Sequence, residues 1–357
     1  MTYVACCLCV VVAAAVVVAD AEQSMARVVA MATVKTEGDF SQVKYETGVP
    51  VPSPSSGQVL IRVHASSVNP VDWKLLAGFP GIRFPHTLGF DVAGVVAQIG
   101  AGCDRVKVGD KVWADLGKTW LLRGGELGAY AEYALADESQ VGLMPTTMNF
   151  TEAAVMPLVT LTSSEALQMC GAPWGSPGDG LNFTGLVTSG SGGTGFTGLQ
   201  LFRAWGASRV WTATSAPNEA FVRSMGATDV VNYKERDIWD VVPDDSLDVV
   251  YDNYGAPGTA DKAMAKLKVG GTFIFLPGKG GALSKHPKKG VKQINFGLCD
   301  SSKHSSLDQL KELADRGLLR SHVDRAFSLA HVVEAMNTSF TGKVVGKLAI
   351  TIVPESA

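Results

Sequence analysis

Between Val187 and Ala207 the chain reads Val-Thr-Ser-Gly-Ser-Gly-Gly-Thr-Gly-Phe-Thr-Gly-Leu-Gln-Leu-Phe-Arg-Ala-Trp-Gly-Ala. Glycines at 190, 192, 193 and 195 remove side chains where a backbone must pass close to a diphosphate. Apolar residues then recur at helical spacing through Leu199, Leu201, Phe202 and Trp205. A helix starting there would aim its free N–H groups and positive dipole end at the phosphates. Gly190, Ser191, Gly192, Gly193, Thr194 and Gly195 are therefore candidate phosphate-seating residues. A glycine turn also serves as a plain connector, so its surroundings decide its meaning.

The apolar run 181–187 leads into the turn, and β-rich runs follow at 209–214, 229–233, 247–251 and 271–276, with helical patterns at 218–226 and 260–267 between them. Strands alternating with helices imply a parallel, doubly wound sheet, expected to be complete at Leu276. Upstream, residues 26–136 alternate short β-rich runs with Pro/Gly turns, as in a compact, mostly β domain. A helix is expected over 151–170 with Thr151 as its N-cap. Residues 278–292 read as a surface loop, 306–317 and 330–337 as helices, and 343–353 as a last strand.

With 357 residues, 46% hydrophobic and 18% charged, the chain has room for two globular domains. A net charge of −3 and the lack of a long basic run argue against a nucleic-acid partner; 285–292 is a local basic patch of the kind found in solvated loops. Residues 4–19 are uniformly apolar, and Ala19-Asp20-Ala21 places small residues where a signal peptidase reads. Residues 1–21 thus read as a secretory leader, with membrane association only if it is retained. Met25 is a rival start that would give a cytoplasmic protein. Cys6, Cys7 and Cys9 lie in the leader, leaving Cys103, Cys170 and Cys299, an odd set without C-x-x-C spacing that implies neither a disulfide framework nor a zinc ribbon.

Six segments stand in an order that resembles the medium-chain dehydrogenase/reductases: 68–74 (Val-Asn-Pro-Val-Asp-Trp-Lys), 89–96 (Gly-Phe-Asp-Val-Ala-Gly-Val-Val), 108–112, 128–133, the glycine turn and 342–347 (Gly-Lys-Val-Val-Gly-Lys). Within that superfamily the chain is similar to the zinc-independent quinone oxidoreductase branch, and in particular to plant chloroplast-envelope quinone oxidoreductase homologues. The resemblance covers residues 26–353. It implies an α/β architecture: a GroES-like, mostly β catalytic domain over 26–155, a Rossmann doubly wound parallel-sheet cofactor domain over 156–297, and a return to the catalytic domain over 298–357. A homodimer formed through the apolar strand 272–276, as in relatives, is a further implication.

Zinc alcohol dehydrogenases carry a cysteine and a His-Glu pair where this chain has Asn69 and Phe90-Asp91. An amide and a phenyl ring cannot replace thiolate and imidazole, so no metal is expected. The chemistry left is hydride transfer from the cofactor to a conjugated acceptor, a quinone or an α,β-unsaturated carbonyl (enone or enal). Such a site needs a donor for the developing enolate and a source for one proton. The resemblance places Asn69, Asp72 and Lys74 at the nicotinamide, and Tyr130 and Tyr133 offer phenols. Asn69 could instead cap a turn, and Asp72 could pair with Lys74 or cap a short helix.

The resemblance also places Thr162 near the nicotinamide amide, although a helix threonine can simply bond back to its own helix. Asp252, Leu276, Gly278 and Lys347 join the cofactor-binding set, Asp252 being equally readable as a turn residue. An NAD enzyme of this design carries an acid at the end of the second strand, but here 212–218 reads Thr-Ala-Thr-Ser-Ala-Pro-Asn. That favours NADPH, with Ser215, Asn218, Arg223, Tyr233 and Lys234 as candidates for its 2′-phosphate. Arg223 could also be merely solvated and Tyr233 packed. The alternative is a protein that keeps the fold and binds nucleotide but hardly turns over.

Overall fold

The computed structural model describes residues 24–78, 83–117, 128–171, 182–276 and 278–353. The leader and residues 79–82, 118–127 and 172–181 lie outside them.

The amino-terminal half is built from β1 (Ser24–Ala30), β2 (Val43–Pro50), β3 (Gln58–Ser67), the short helix α1 (Pro70–Lys74), β4 (His86–Thr87), β5 (Asp91–Ile99), β6 (Lys111–Asp115), β7 (Tyr133–Asp137) and β8 (Val141–Leu143). β2-β1-β4 make a small sheet; β3, β5, β6 and β8 run in that order to one edge of a larger one, with β7 also pairing β3. Alternate β3 residues Val59, Ile61 and Val63 meet Val92, Val96 and Val112 in one buried cluster, which is the period-2 placement expected of a strand with one face in a core.

A helical run follows, but in two pieces: α2 (Phe150–Ala154) and α3 (Pro157–Met169). Proline at 157 lacks the N–H that would continue the first helix, yet suits the first turn of the second. The cap is Asn149 rather than Thr151: its Oδ1 accepts from the Glu152 N–H at 2.8 Å and the Glu152 carboxylate accepts from the Asn149 N–H at 3.0 Å.

Next come β9 (Thr184–Val187), α4 (Gly193–Ala204), β10 (Arg209–Thr214), α5 (Glu219–Ser224), β11 (Asp229–Asn232), α6 (Ile238–Val241), β12 (Leu247–Asp252), α7 (Thr259–Lys266), β13 (Leu267–Phe275) and β14 (Lys292–Asn295). The strands form one parallel sheet in the order β11-β10-β9-β12-β13-β14. This is the doubly wound order whose reversal point lies between β9 and β12. Side chains alternate between faces: Val187, Val210, Tyr251 and Ile274 enter one core and Leu186, Trp211, Val250 and Phe273 the other. Burial on both faces explains the near-continuous apolar runs in the sequence.

Two expectations are corrected here. The sheet is not complete at Leu276, because β14 adds a sixth strand whose Lys-Gln-Ile-Asn sequence carries almost no apolar signal. The 272–276 stretch cannot pair across a dimer, since β13 is hydrogen-bonded to β12 on one side and β14 on the other.

The chain then returns through α8 (His304–Asp315), β15 (Val323–Ser328), α9 (Val332–Phe340) and β16 (Lys347–Thr351). β16 pairs antiparallel with β3 and parallel with β15, extending the large sheet of the first half. It begins later than the expected 343, because Gly346 has φ +73° and its N–H bonds the Ser191 carbonyl in the glycine turn at 2.8 Å. The return segment is thereby tied to both halves, and between them lies a cavity of about 650 Å³.

Candidate active site

On the Rossmann side, α4 starts at Gly193 with Gly192 as an extended cap residue, so its first N–H groups open into the cavity lined by Gly192, Gly193 and Thr194. Glycine is sterically required at 195, where a Cβ would lie 1.8 Å from the Ser189 carbonyl oxygen. Gly190 and Ser191 sit behind the turn rather than in the cavity wall. A Cβ at 190 would meet Thr212 Oγ1 at 2.3 Å, and Ser191 Oγ accepts from Thr214 Oγ1 at 3.2 Å.

Asn253, which sequence reasoning passed over in favour of its neighbour Asp252, clamps this turn. Its Oδ1 accepts from the Ser189 N–H at 2.9 Å, and its Nδ2 donates to the Ser189 carbonyl at 3.2 Å and to Thr194 Oγ1 at 3.3 Å. Asp252 faces away from the cavity. Its Oδ1 accepts from Thr188 Oγ1 at 2.8 Å and from the Gly255 N–H at 2.9 Å, which makes it a turn residue. Leu276, Gly278 and Thr162 do line the cavity.

Ser215, Tyr233 and Lys234 follow the carboxyl ends of β10 and β11, where ligands of such sheets bind, and Asn218 ends the short turn of helix after Ser215. Arg223 lies elsewhere. Its guanidinium bonds Glu219 and the carbonyl of Thr228, the residue just before β11, so it points to the amino ends of the strands and away from any 2′-phosphate.

The opposite wall is a buried polar cluster. Asn69 directly precedes α1 and is fully buried; its Nδ2 donates to Asp91 Oδ2 at 2.7 Å and, weakly, to Ser67 Oγ at 3.4 Å, while its Oδ1 accepts from Lys347 Nζ at 2.5 Å. Asp91 also accepts from Ser67 Oγ at 2.5 Å and, through Oδ1, from the Leu158 N–H at 2.7 Å in the first turn of α3. Lys347 Nζ donates to the Val68 carbonyl at 2.7 Å and lies 3.9 Å from Asp91 Oδ2. Its stem runs beneath the glycine turn, where a Cβ on Gly193 would come 2.9 Å from Lys347 Cδ.

Asp72 is buried behind this wall, accepting from the Asn69 N–H at 2.7 Å and Tyr130 Oη at 2.8 Å. It therefore closes the start of α1 and does not reach the cavity. Tyr130 is fully buried on Asp72, and Tyr133 lies on β7 away from the cavity, so neither phenol faces substrate. Lys74 does line the cavity, beside Trp73, Phe90 and Phe340.

Crowding carboxyls with one ammonium in a dry wall moves their protonation. Burial, opposed by hydrogen bonds from Asn69 and Tyr130, pushes Asp72 up to about 7. Burial also raises Asp91, opposed chiefly by the Lys347 charge. Lys347 is lowered by its own burial against the attraction of Asp91 and Asp72.

A zinc ion does not fit this donor set. Position 69 offers an amide already bonded at both ends, position 90 a phenyl ring, and position 91 a carboxylate occupied by three hydrogen-bond donors. A dinucleotide does fit, because Gly192 and Gly193 offer bare main chain to the cavity at a helix start, while Gly190 and Gly195 let the turn pack tightly on Thr212 and Ser189 behind them.

Residues 55–146 match the alcohol dehydrogenase GroES-like domain and residues 225–350 a zinc-binding dehydrogenase domain. The chain is 32% identical to 2-methylene-furan-3-one reductase of Solanum lycopersicum over 89% of this chain and 77% of the relative. It is 31% identical to a chloroplastic NADPH-dependent alkenal/one oxidoreductase of Arabidopsis thaliana over 89% and 78%. The quinone oxidoreductase structure from Coxiella burnetii superposes with a TM-score of 0.76 at 26% identity, covering 92% of this chain and 99% of that one. Fold, ordered motifs and relatives agree: the chain belongs to the medium-chain dehydrogenase/reductases, as an oxidoreductase of the quinone oxidoreductase-like kind.

Proposed function

We propose that the protein reduces a quinone or an α,β-unsaturated carbonyl with NADPH and without zinc. The observation that carries this reading is a single cavity with a glycine turn and helix start on one side and, on the other, an amide-ammonium-carboxylate wall where the zinc enzymes hold metal. When bound, the cofactor supplies the hydride. The protein's part is to orient it between Thr162, Leu276 and Gly278, to pack an apolar acceptor against Trp73, Phe90 and Phe340, and to exclude water. Asn69 positions rather than donates, because Asp91 and Lys347 already engage its amide; Lys74, Lys279 and Lys347 all line the cavity. The relatives' enone and alkenal substrates support the acceptor class, and a chloroplastic relative bears on where an apolar leader would send the chain.

The test is NADPH oxidation by purified protein across a panel of quinones, enones and enals. Consumption with at least one member is expected, and binding of NADPH with no turnover on any of them would instead favour the nucleotide-binding alternative.

Coenzyme preference is a second expected outcome. β10 ends in Thr214-Ser215 without a carboxylate, and one charge-assisted hydrogen bond to the 2′-phosphate is worth roughly 1.5–3 kcal/mol. NADPH should therefore bind about tenfold or more tighter than NADH in fluorescence titrations. Lys234→Ala should remove most of that difference while leaving NADH affinity unchanged; equal affinities in the unmodified protein would refute the assignment.

A further inference from the structure

Reducing an enone consumes a proton as well as a hydride, and most groups named from the sequence are committed elsewhere. The Asn69 amide serves Asp91 and Lys347, Tyr130 serves Asp72, and the Lys347 ammonium serves Val68 and Asn69. Three acids the sequence did not suggest line the same space, Glu37, Asp115 and Asp300, of which the first and last are exposed. Asp115 closes β6, is 2% exposed and lines the cavity. Its Oδ1 accepts from the Gly117 N–H at 2.9 Å, and its Oδ2 takes the Cys299 thiol at 3.5 Å. Cys299, beyond β14, and Thr162, on α3, line the cavity too, so the carboxyl opens on the same space as Leu276 and Gly278.

We propose that Asp115 is the acid that protonates the substrate after hydride addition, with Gly117 and Cys299 fixing its carboxyl toward the cavity. This rests on the reduction proposed above. The hydride carries two electrons from the reduced nicotinamide to the β-carbon, forming a C–H bond, while the C=C π pair shifts to make an enolate. The Asp115 O–H bond breaks, its proton joins the α-carbon using the enolate pair, and C=O is restored. The nicotinamide ends oxidised, the substrate reduced, and the carboxylate regains a proton from solvent.

Protonation favours this role. Burial, and then the neighbouring carboxyl of Asp91, push Asp115 up to about 7; the Gly117 and Cys299 hydrogen bonds oppose this and Asp72 adds to it, with Lys347 the cation facing the group. A general acid works best when its pKa lies near the working pH. Cys299 is itself raised far above the usual thiol range, by burial first and by Asp115 next, so it stays a thiol and resists alkylation by the electrophiles the site would bind.

The experiment compares Asp115→Asn, Asp115→Glu and Cys299→Ser with the unmodified protein, using NADPH and methyl vinyl ketone. Asp115→Asn should lose about 100-fold or more in kcat, hold its NADPH Kd within about twofold, and lose the alkaline limb near pH 7 together with the solvent deuterium isotope effect. Asp115→Glu should recover part of the rate, and Cys299→Ser should shift the limb.

A separate readout is stability. A carboxyl raised from 3.8 to about 7 favours the folded state fully below about pH 4 and loses that contribution as pH rises through about 7. Asp115→Asn should therefore raise Tm most at about pH 8, less at about pH 5, and not at all below about pH 4. A kcat within about threefold of the unmodified protein, or an unchanged limb, overturns the inference alone. Unmodified protein that turns over no enone overturns the proposed reduction, and this inference with it.

Discussion

Asp91→Ala is expected to lower the unfolding free energy by about 3–5 kcal/mol, the usual cost of removing one partner from a buried ion pair. Asp91 is fully buried and Lys347 is 4% exposed, so solvent cannot take over the lost role. Deletion leaves the ammonium with only the neutral Val68 carbonyl and Asn69 amide in hydrogen-bond reach. It also frees the Leu158 N–H at the start of α3, the Ser67 hydroxyl and the Asn69 amide. Chemical denaturation measures the loss; a change below about 1 kcal/mol would show that the wall is wetter than described. Adding Lys347→Met removes the stranded charge, so the double variant should be less destabilised than the two single variants summed, by about 1 kcal/mol or more.

Gly195→Val should cost about 100-fold or more in NADPH affinity. A Cβ there would sit 1.8 Å from the Ser189 carbonyl oxygen, so the backbone must move, and with it the N–H groups aimed at the phosphates. Losing two hydrogen bonds to charged oxygens, each worth roughly 1.5–3 kcal/mol, is enough for that factor. Gly192→Ala separates fold from ligand. Its Cβ would meet nothing nearer than Ser189 at 3.7 Å, so Tm should hold while affinity falls about tenfold, because the methyl group enters the phosphate path. Titrations in which both variants bind NADPH within threefold of the unmodified protein would place the diphosphate elsewhere.

The elements that dominate this picture were legible in the sequence because one local rule decides each. The glycine turn, the apolar runs of β9, β10, β12 and β13, and the loss of thiolate and imidazole at 69 and 90 need no knowledge of distant contacts. What escaped was set by long-range geometry. β14 is a strand only because β13 offers it an edge. Arg223 is carried to the amino ends of the strands because α5 runs back between the parallel β10 and β11 and holds it in its last turn, a placement that the residue's basic type did not reveal. Asp72 reads as a pocket acid until Tyr130, 58 residues away, is seen holding it behind the wall. Asp115 and Cys299 are 184 residues apart and carry no shared motif, so only the folded chain brings them to the same cavity. Asn253 left a trace: an amide one residue past a strand's carboxyl end, at the sheet's reversal point, is placed to bridge to the turn leaving the neighbouring strand.

Deuterium on the cofactor follows the hydride into the product. Protein treated with a chelator and shown to contain no zinc is given NADPH deuterated at the transferable position together with an enone from the panel. The account predicts sustained turnover and one deuterium at the β-carbon of the saturated product. Turnover that returns only when zinc is restored, or a reduced product without deuterium, would contradict it.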